Sequence, residues 1–311
     1  MGSFLGHAAP GFGFLFIGLW HLFNHIRLHA LHPNSYTSLP WFPGSKIRYL
    51  ELFLIMGGCS ISVSTELFIG HLLDSDGTIP STHLRRFEHS SISMCLFIYS
   101  SFAIVIDQIG PKAQNGLTQL LGAIAFAQQL LLFHLHSNYH MGVEAQYHML
   151  LQIALFITLT TTFMIIGYPK SFLVSFIRSL SILFQGLWLI VMGLMIWTPA
   201  LLPKGCFKNL ERDRHVIRCH GDEVLERAKS IVNIQFSWYL MGVTIFAVSL
   251  YLVLIKIYPE KVEFESLHQI EGREEEPEDV KAQRVAMKAK LCEPKISLHK
   301  GKVFVPFNMD R

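Results

Sequence analysis

Residues 173–197 read LVSFIRSLSILFQGLWLIVMGLMIW, an apolar run broken by a single charge, Arg178. A helix of this length covers about 37 Å, enough to cross the ~30 Å hydrocarbon core of a bilayer. Apolar residues follow one another without alternation, so the stretch does not read as a strand of a membrane barrel. Six further runs of this kind are legible. The seven spans cover approximately residues 10–27, 49–71, 88–109, 115–136, 146–168, 173–197 and 231–257. The expected fold class is therefore all-α, a multi-pass transmembrane bundle of seven helices. Residues 1–257 form the membrane domain and residues 258–311 a disordered, charged, cytosolic tail.

Composition agrees. Hydrophobic residues make up 51% of the 311 and charged residues 16%, where a soluble domain carries about 25% charged. Residues 1–200 hold eight Lys/Arg and seven Asp/Glu, of 26 and 23 in the chain. Such a stretch excludes a nucleic-acid-binding domain, a secreted disulfide scaffold and a coiled coil. The net charge of +3 is too small to argue an anionic partner. The first span has no basic segment before it and no small-residue cleavage site, so it reads as a retained helix. Gly6 stands where a myristoylation signal requires Ser or Thr.

Gly110-Pro111 and Tyr168-Pro169 close the third and fifth spans. The one long loop, 198–230, is rich in charge. An odd number of spans puts the chain ends on opposite sides. Arg27, Lys46, Arg48, Lys256 and Lys261 favour an outside or lumenal N-terminus and a cytosolic C-terminus. The seven Lys/Arg of the 198–230 loop argue the other way. Cys206 and Cys219 share that loop and could pair if it is lumenal; two separate thiols are the alternative. Cys59 and Cys95 lie within spans and read as core. An endomembrane or the plasma membrane is the expected setting, with the lipid bilayer as partner, no nucleic acid, and the tail as a surface for a cytosolic partner.

Polar residues inside spans are costly and face the bundle interior. Sorted by membrane side, His7, Glu66, His71, His89, His134, His136, His140, Glu144 and His148 fall on the N-terminal side. Imidazole and carboxylate converging at a bundle end suit zinc or another divalent metal. The expected metal ligands are His89, His134, His136 and His148. Glu66, some 7 Å inside its helix end, is the expected catalytic base or a fourth ligand. His134 and His136 stand at i,i+2 and do not share a helical face. On the other side, Arg48, Glu51, Asp107 and Arg178 read as an ion-pair network, with Arg48 and Glu51 as i,i+3 neighbours. Gln128, Gln129, Gln152 and Gln185 could line a path between the two clusters, or serve as interhelical glue. His21, His25 and His29 repeat every four residues and read as interfacial packing. No Gly-x-Ser-x-Gly, phosphate loop or Cys-x-x-Cys is present.

The opening Met1-Gly2-Ser3-Phe4-Leu5-Gly6-His7-Ala8-Ala9-Pro10-Gly11 and Gly18-Leu19-Trp20 resemble the transmembrane protein 45 family. So do Tyr49-Leu50-Glu51, Glu88-His89, Asp107, Phe133-His134-Leu135-His136, Tyr147-His148, Arg178-Ser179-Leu180, Gln185-Gly186-x-Trp188 and Trp238. The resemblance covers roughly residues 1–257. The stretch His140-Met141-Gly142-Val143-Glu144-Ala145-Gln146-Tyr147-His148 is similar to the plant branch, some members of which are described as virus-response proteins. It lengthens the spacing from His136 to His148 relative to animal members. The resemblance implies a multi-pass, seven-helix membrane protein and no particular reaction. The family's polar positions fall on His7, Glu51, Glu66, His89, Asp107, His134, His136, His148, Arg178 and Gln185.

Three functions are open at this point. The first is a metal-dependent hydrolase acting on a lipid, by analogy of architecture alone with seven-helix hydrolases of the ceramidase and adiponectin-receptor type. The second is a non-enzymatic membrane protein for partner binding or trafficking, in a virus or stress response. The third is an ion or metal transporter, which needs a continuous polar path from Glu66 to Asp107. A haem held by His89 with His134 or His148 is a weaker option.

Overall fold

The computed structural model describes residues 4–68, 81–137, 142–211 and 214–258, all within the unit Met1–Pro259. Its seven α-helices are α1 (Phe4–Leu31), α2 (Leu50–Phe68), α3 (Ser81–Ile109), α4 (Gln114–Ser137), α5 (Gly142–Gly167), α6 (Phe172–Trp197) and α7 (Asp222–Ile257). The expected spans thus fall on seven helices. Six of them, α2 to α7, are long and apolar enough to cross a membrane. The exception is α1. Its 28 residues reach about 42 Å, but His7, His21, Asn24, His25, Arg27 and His29 dilute its apolar character. The expected tail over 258–311 lies outside the described residues, apart from Tyr258.

Local signals set the ends. Gly110 takes a positive φ of 65° after α3 and Pro111 follows. Ser171 caps α6, its hydroxyl accepting from the Val174 amide at 3.4 Å. The expected loop 198–230 is built instead of a 3-10 turn (Pro199–Leu201), strands β1 (Cys206–Glu211) and β2 (Arg214–Cys219), and the charged first turns of α7. The strands pair antiparallel with Cys206 opposite Cys219, and these two cysteines form a disulfide.

Helix α6 is the centre of the bundle, flanked by α1, α5 and α7, while α4, α3 and α2 follow outward from α5. Trp188, Phe184 and Leu183 on α6 are buried against Leu22 and Leu151. The Trp188 indole donates to the Tyr147 carbonyl at 3.1 Å and its ring meets Phe236 edge-on. Connectivity defines two ends. The first gathers the start of α1 and the disulfide hairpin. The second gathers residues 32–49, 110–113 and 168–171.

The contact of α1 with α6 is the closest in the bundle. Four glycines line it: Gly11 on α1 meets Gly186 on α6, Gly18 meets the Leu183 backbone, and Gly193 meets His7 and Phe4. A Cβ on Gly18 would stand 2.3 Å from the Leu183 backbone nitrogen, and one on Gly186 would stand 2.2 Å from that of Leu15. Bare backbone meets bare backbone, the small-residue packing that lipid-embedded helices use in place of a hydrophobic drive.

Gly186→Ala must push the helices apart, and overpacking of this kind costs about 1–3 kcal/mol or more. We expect a clear drop in Tm of the detergent-purified protein, followed by fluorescence-detected size exclusion after heating. Gly57→Ala, where an added Cβ meets nothing within 4 Å, should leave Tm unchanged.

Candidate functional site

Two polar centres stand at opposite ends of the α1–α6 pair. At the first end, His7 (α1), Ser62 (α2), His89 and Ser93 (α3), Gln129 (α4) and His148 (α5) line one cavity of about 70 Å³. All three imidazoles are buried. The His7 and His148 rings meet edge-on with centroids 6.1 Å apart. The Nδ1–H of His148 donates to the Glu144 carbonyl at 2.9 Å, which fixes its tautomer and leaves Nε2 as the basic nitrogen. Ser62 and Ser93 hydroxyls bond each other at 2.9 Å. The Gln129 Oε1 is buried with no protein partner. The rest of the lining is mostly apolar, including Phe14, Ile92, Leu151 and Met192, and the volume is enough for water beside the polar groups.

The sequence-expected residues divide. His89 and His148 come together as expected, and His7 joins them. Ser62 stands one turn below Glu66 on the same face of α2 and lines the cavity; Glu66 is half-buried at that end and is not part of the lining. His134 is exposed, its Nδ1–H donating to Gln152 Oε1 at 3.2 Å. His136 lies on α4 with its side chain outside the described residues, as are His71 and His140. Among the described residues, no three His, Cys, Asp or Glu side chains are grouped to hold a metal ion. Of the expected ligands, His89 and His148 share the cavity and His134 lies outside its lining.

The second centre was split by the sequence reading. Arg178 on α6 is buried. Its Nη1 donates to Gln119 Oε1 at 2.6 Å, and its Nη2 reaches His25 Nε2 at 3.3 Å, His21 Nδ1 at 3.4 Å and the Leu39 carbonyl at 3.3 Å. A guanidinium has donors only, so both imidazole nitrogens facing it must accept. His21 therefore carries its proton on Nε2 and donates it to Glu51 Oε1 at 2.6 Å. His25 carries its proton on Nδ1 and donates it to the Tyr36 oxygen at 2.9 Å. Glu51 accepts two more bonds, from Trp20 Nε1 at 3.1 Å and the Phe42 amide at 2.9 Å. The buried cation and buried anion are thus joined through a neutral imidazole.

The segment 32–49 closes this centre over. Tyr36, Ser38, Trp41 and Phe42 are buried, and the Phe42 ring stands edge-on to His25 at 4.7 Å. Burial pushes the Tyr36 phenol up to about 12, so it stays protonated at neutral pH. Arg48 does not pair with Glu51, as its i,i+3 position had indicated. It is exposed and forms a two-pronged bond with Asp107 on α3, which Tyr49 joins at 2.8 Å. The expected network is therefore two: an exposed clamp of α2 on α3, and a buried centre that enlists the histidines of α1.

Between the centres lie Gln129 and Gln185. Gln185 is fully buried on α6, and neither of its amide atoms has a protein partner. The Arg178 Nε and Gln119 Nε2 are likewise buried without one. Buried polar atoms of this kind are rare and call for a ligand, a water or a proton-handling role.

Breaking the buried pair from one side is expected to cost about 3–5 kcal/mol. Arg178→Met should therefore unfold at far lower denaturant than the wild type. Adding Glu51→Gln to it should recover part of the loss in a double-mutant cycle. Arg48→Gln should barely move the midpoint.

Residues 115–252 match the model of a family of unknown function (DUF716), the family domain of transmembrane protein 45-like proteins. The match runs from α4 into α7. It includes Gln119, Gln129, His148, Arg178 and Gln185, and leaves out His7, His21, Glu51 and His89.

Proposed function

We propose that this multi-pass membrane protein relays protons along the α1–α6 pair, from the imidazole cavity at the first end to the Arg178–His21–Glu51 centre at the second. The observation that carries this reading is Gln185, a fully buried amide with both polar atoms unpaired, midway between two groups of histidines. Trp188, Leu183 and Phe184 on the same helix are buried and apolar; a proton, unlike a hydrated ion, needs only hydrogen-bonding groups, with water at the unpaired Gln185 atoms to complete the path. Chains of His, Asp and Glu inside a bilayer are the usual means of such transfer. His21 suits the last step. Its bond from Arg178 is long and weak at 3.4 Å, while its bond to Glu51 is short. A proton taken at Nδ1 releases the Nε2 proton to Glu51 Oε1, and the ring ends neutral in the other tautomer.

The orientation that goes with this reading puts the first end outside or in a lumen. The paired Cys206 and Cys219 at that end fit an oxidising compartment. Arg27, Lys46, Arg48, Lys112, Lys170 and Lys256 ring the second end, which fits the cytosol.

The test uses full-length protein in liposomes with an internal pH dye and a potassium diffusion potential set by valinomycin. The account expects proton flux above that of empty liposomes, reduced at least tenfold in Gln185→Leu, a variant that fills the same space without polar atoms. Absence of flux in the wild type, or undiminished flux in a monodisperse Gln185→Leu sample, overturns it.

A second reading, the metal-dependent hydrolase with Glu66 as base, is favoured by one observation: His7, His89 and His148 share a cavity. Metal analysis of the purified protein tests it. About one zinc per chain, lost in His89→Ala, supports it; no bound metal in either sample overturns it.

A further inference from the structure

A larger pocket, of about 690 Å³, opens at the first end between the disulfide hairpin, the first two turns of α5 and the first two turns of α7. Its polar lining is Arg218 on β2 with Asp222 and Lys229 on α7, and Gln146 on α5. Its apolar lining includes Met149 and Leu225. The volume is that of a site for a small organic molecule.

The sequence of α7 fixes the depth of this pocket. Residues 222–230 (DEVLERAKS) are charged, and the apolar run begins at Ile231. The pocket lies along 222–229, immediately before that run, which is the level of lipid head groups. Below it, Met149, Ile153 and Phe156 on α5 are exposed, as are Ile231, Ile234 and Trp238 on α7. The α5 set continues at helical spacing the face that lines the pocket at Ala145 and Met149, so one apolar stripe descends from it toward the bilayer interior, while the α7 set lies on the opposite face of that helix from Asp222, Leu225 and Lys229.

The charges are of both signs. Arg218 is held by Glu211 in a two-pronged bond at 2.6 and 2.7 Å, and Lys229 by Glu226 at 2.8 Å. These bonds fix the cationic heads while leaving each with further N–H donors. Asp222 supplies an anion in the same lining. The Arg218 and Lys229 donors left over from Glu211 and Glu226, together with the Asp222 carboxylate, match a phosphate linked to an amine, with an acyl chain along the α5 stripe.

We propose that this pocket binds the head group of a zwitterionic phospholipid, with the phosphate at Arg218 and Lys229 and the amine at Asp222. The site is distinct from both polar centres, and its occupancy is measured without reference to proton flux.

Native mass spectrometry of the full-length protein in detergent reads it directly, with phosphatidylethanolamine, phosphatidylglycerol and inorganic phosphate added in turn. The proposal expects one tight phosphatidylethanolamine per chain and phosphatidylglycerol weaker by about tenfold. Lys229→Gln, on a partly exposed helical position, should lower phosphatidylethanolamine binding about tenfold. Asp222→Asn should abolish the preference between the two lipids. Equal binding of both lipids by the wild type overturns the zwitterionic assignment. Phosphate displacing the lipid at equal concentration shows a free-anion site and overturns the lipid. Lipid binding unchanged in Lys229→Gln and Asp222→Asn overturns the pocket itself.

Discussion

The structure depends on how closely α1 approaches α6. In a bilayer there is no hydrophobic gain from pressing one apolar helix on another, so adhesion comes from contact density and from polar bonds that lipid cannot replace. Gly11 against Gly186, with Gly18 on the Leu183 backbone and Gly193 on His7, provides the first. The second follows from the same contact. With the two backbones touching, the C-terminal half of α1 lies beside the N-terminal half of α6, and His21 and His25 come within reach of Arg178. The histidines keep α1 from being a span by composition alone, yet they are the residues it needs against α6. A helix that would be costly to expose to lipid is instead held by the groups that make it costly.

A guanidinium and a carboxylate inside the bundle are tolerable only as a set. Arg178 is served by Gln119, two imidazoles and a loop carbonyl; Glu51 by an imidazole, an indole and a backbone amide. Each lone charge would cost several kcal/mol to bury, and the pair offsets that cost only when every bond is made. This is why the 32–49 segment is folded inward. Its Leu39 carbonyl and Phe42 amide add one bond to each charge, and its aromatic rings cover the centre, with the Arg178 Nε left without a protein partner. The disulfide hairpin plays the corresponding part at the other end, where the Ile217 amide donates to Glu144 Oε1 at 3.0 Å. Glu144 in turn orients His148 through its carbonyl, so the hairpin and the imidazole cavity share one turn of α5.

Most of the helical layout was legible in the sequence, because continuous apolar runs of membrane length admit few other structures. The first-end cluster was partly legible. Sorting polar residues by membrane side placed His89 and His148 together, but only register could show that His7 joins them and that His134 turns outward to Gln152. The second centre was legible only in its charges, Glu51 and Arg178, and not in the histidines that join them. Local spacing paired Arg48 with Glu51, whereas Glu51 faces inward to α1 and Arg48 outward to Asp107. The histidine stripe of α1 reads as interfacial packing in sequence because its partner, the Arg178 guanidinium, lies more than 150 residues away. Gly11, Gly18, Gly186 and Gly193 signal a close helix contact, but their spacing does not give its register, since Gly11 meets Gly186 while Gly18 meets Leu183 and Gly193 meets His7. The hairpin within 198–230 was hidden by its charge, which marks a solvated segment without saying whether it folds.

The central claim is that a neutral His21 joins Arg178 to Glu51. Nitrogen-15 magnetic resonance of histidine-labelled protein in lipid bilayers at neutral pH tests it most directly, with His21→Gln and His25→Gln samples to assign the signals. The account predicts two neutral rings, His21 protonated on Nε2 and His25 on Nδ1, and a change in both when Arg178 is replaced by Met. An imidazolium at His21, or the opposite tautomers, would contradict it.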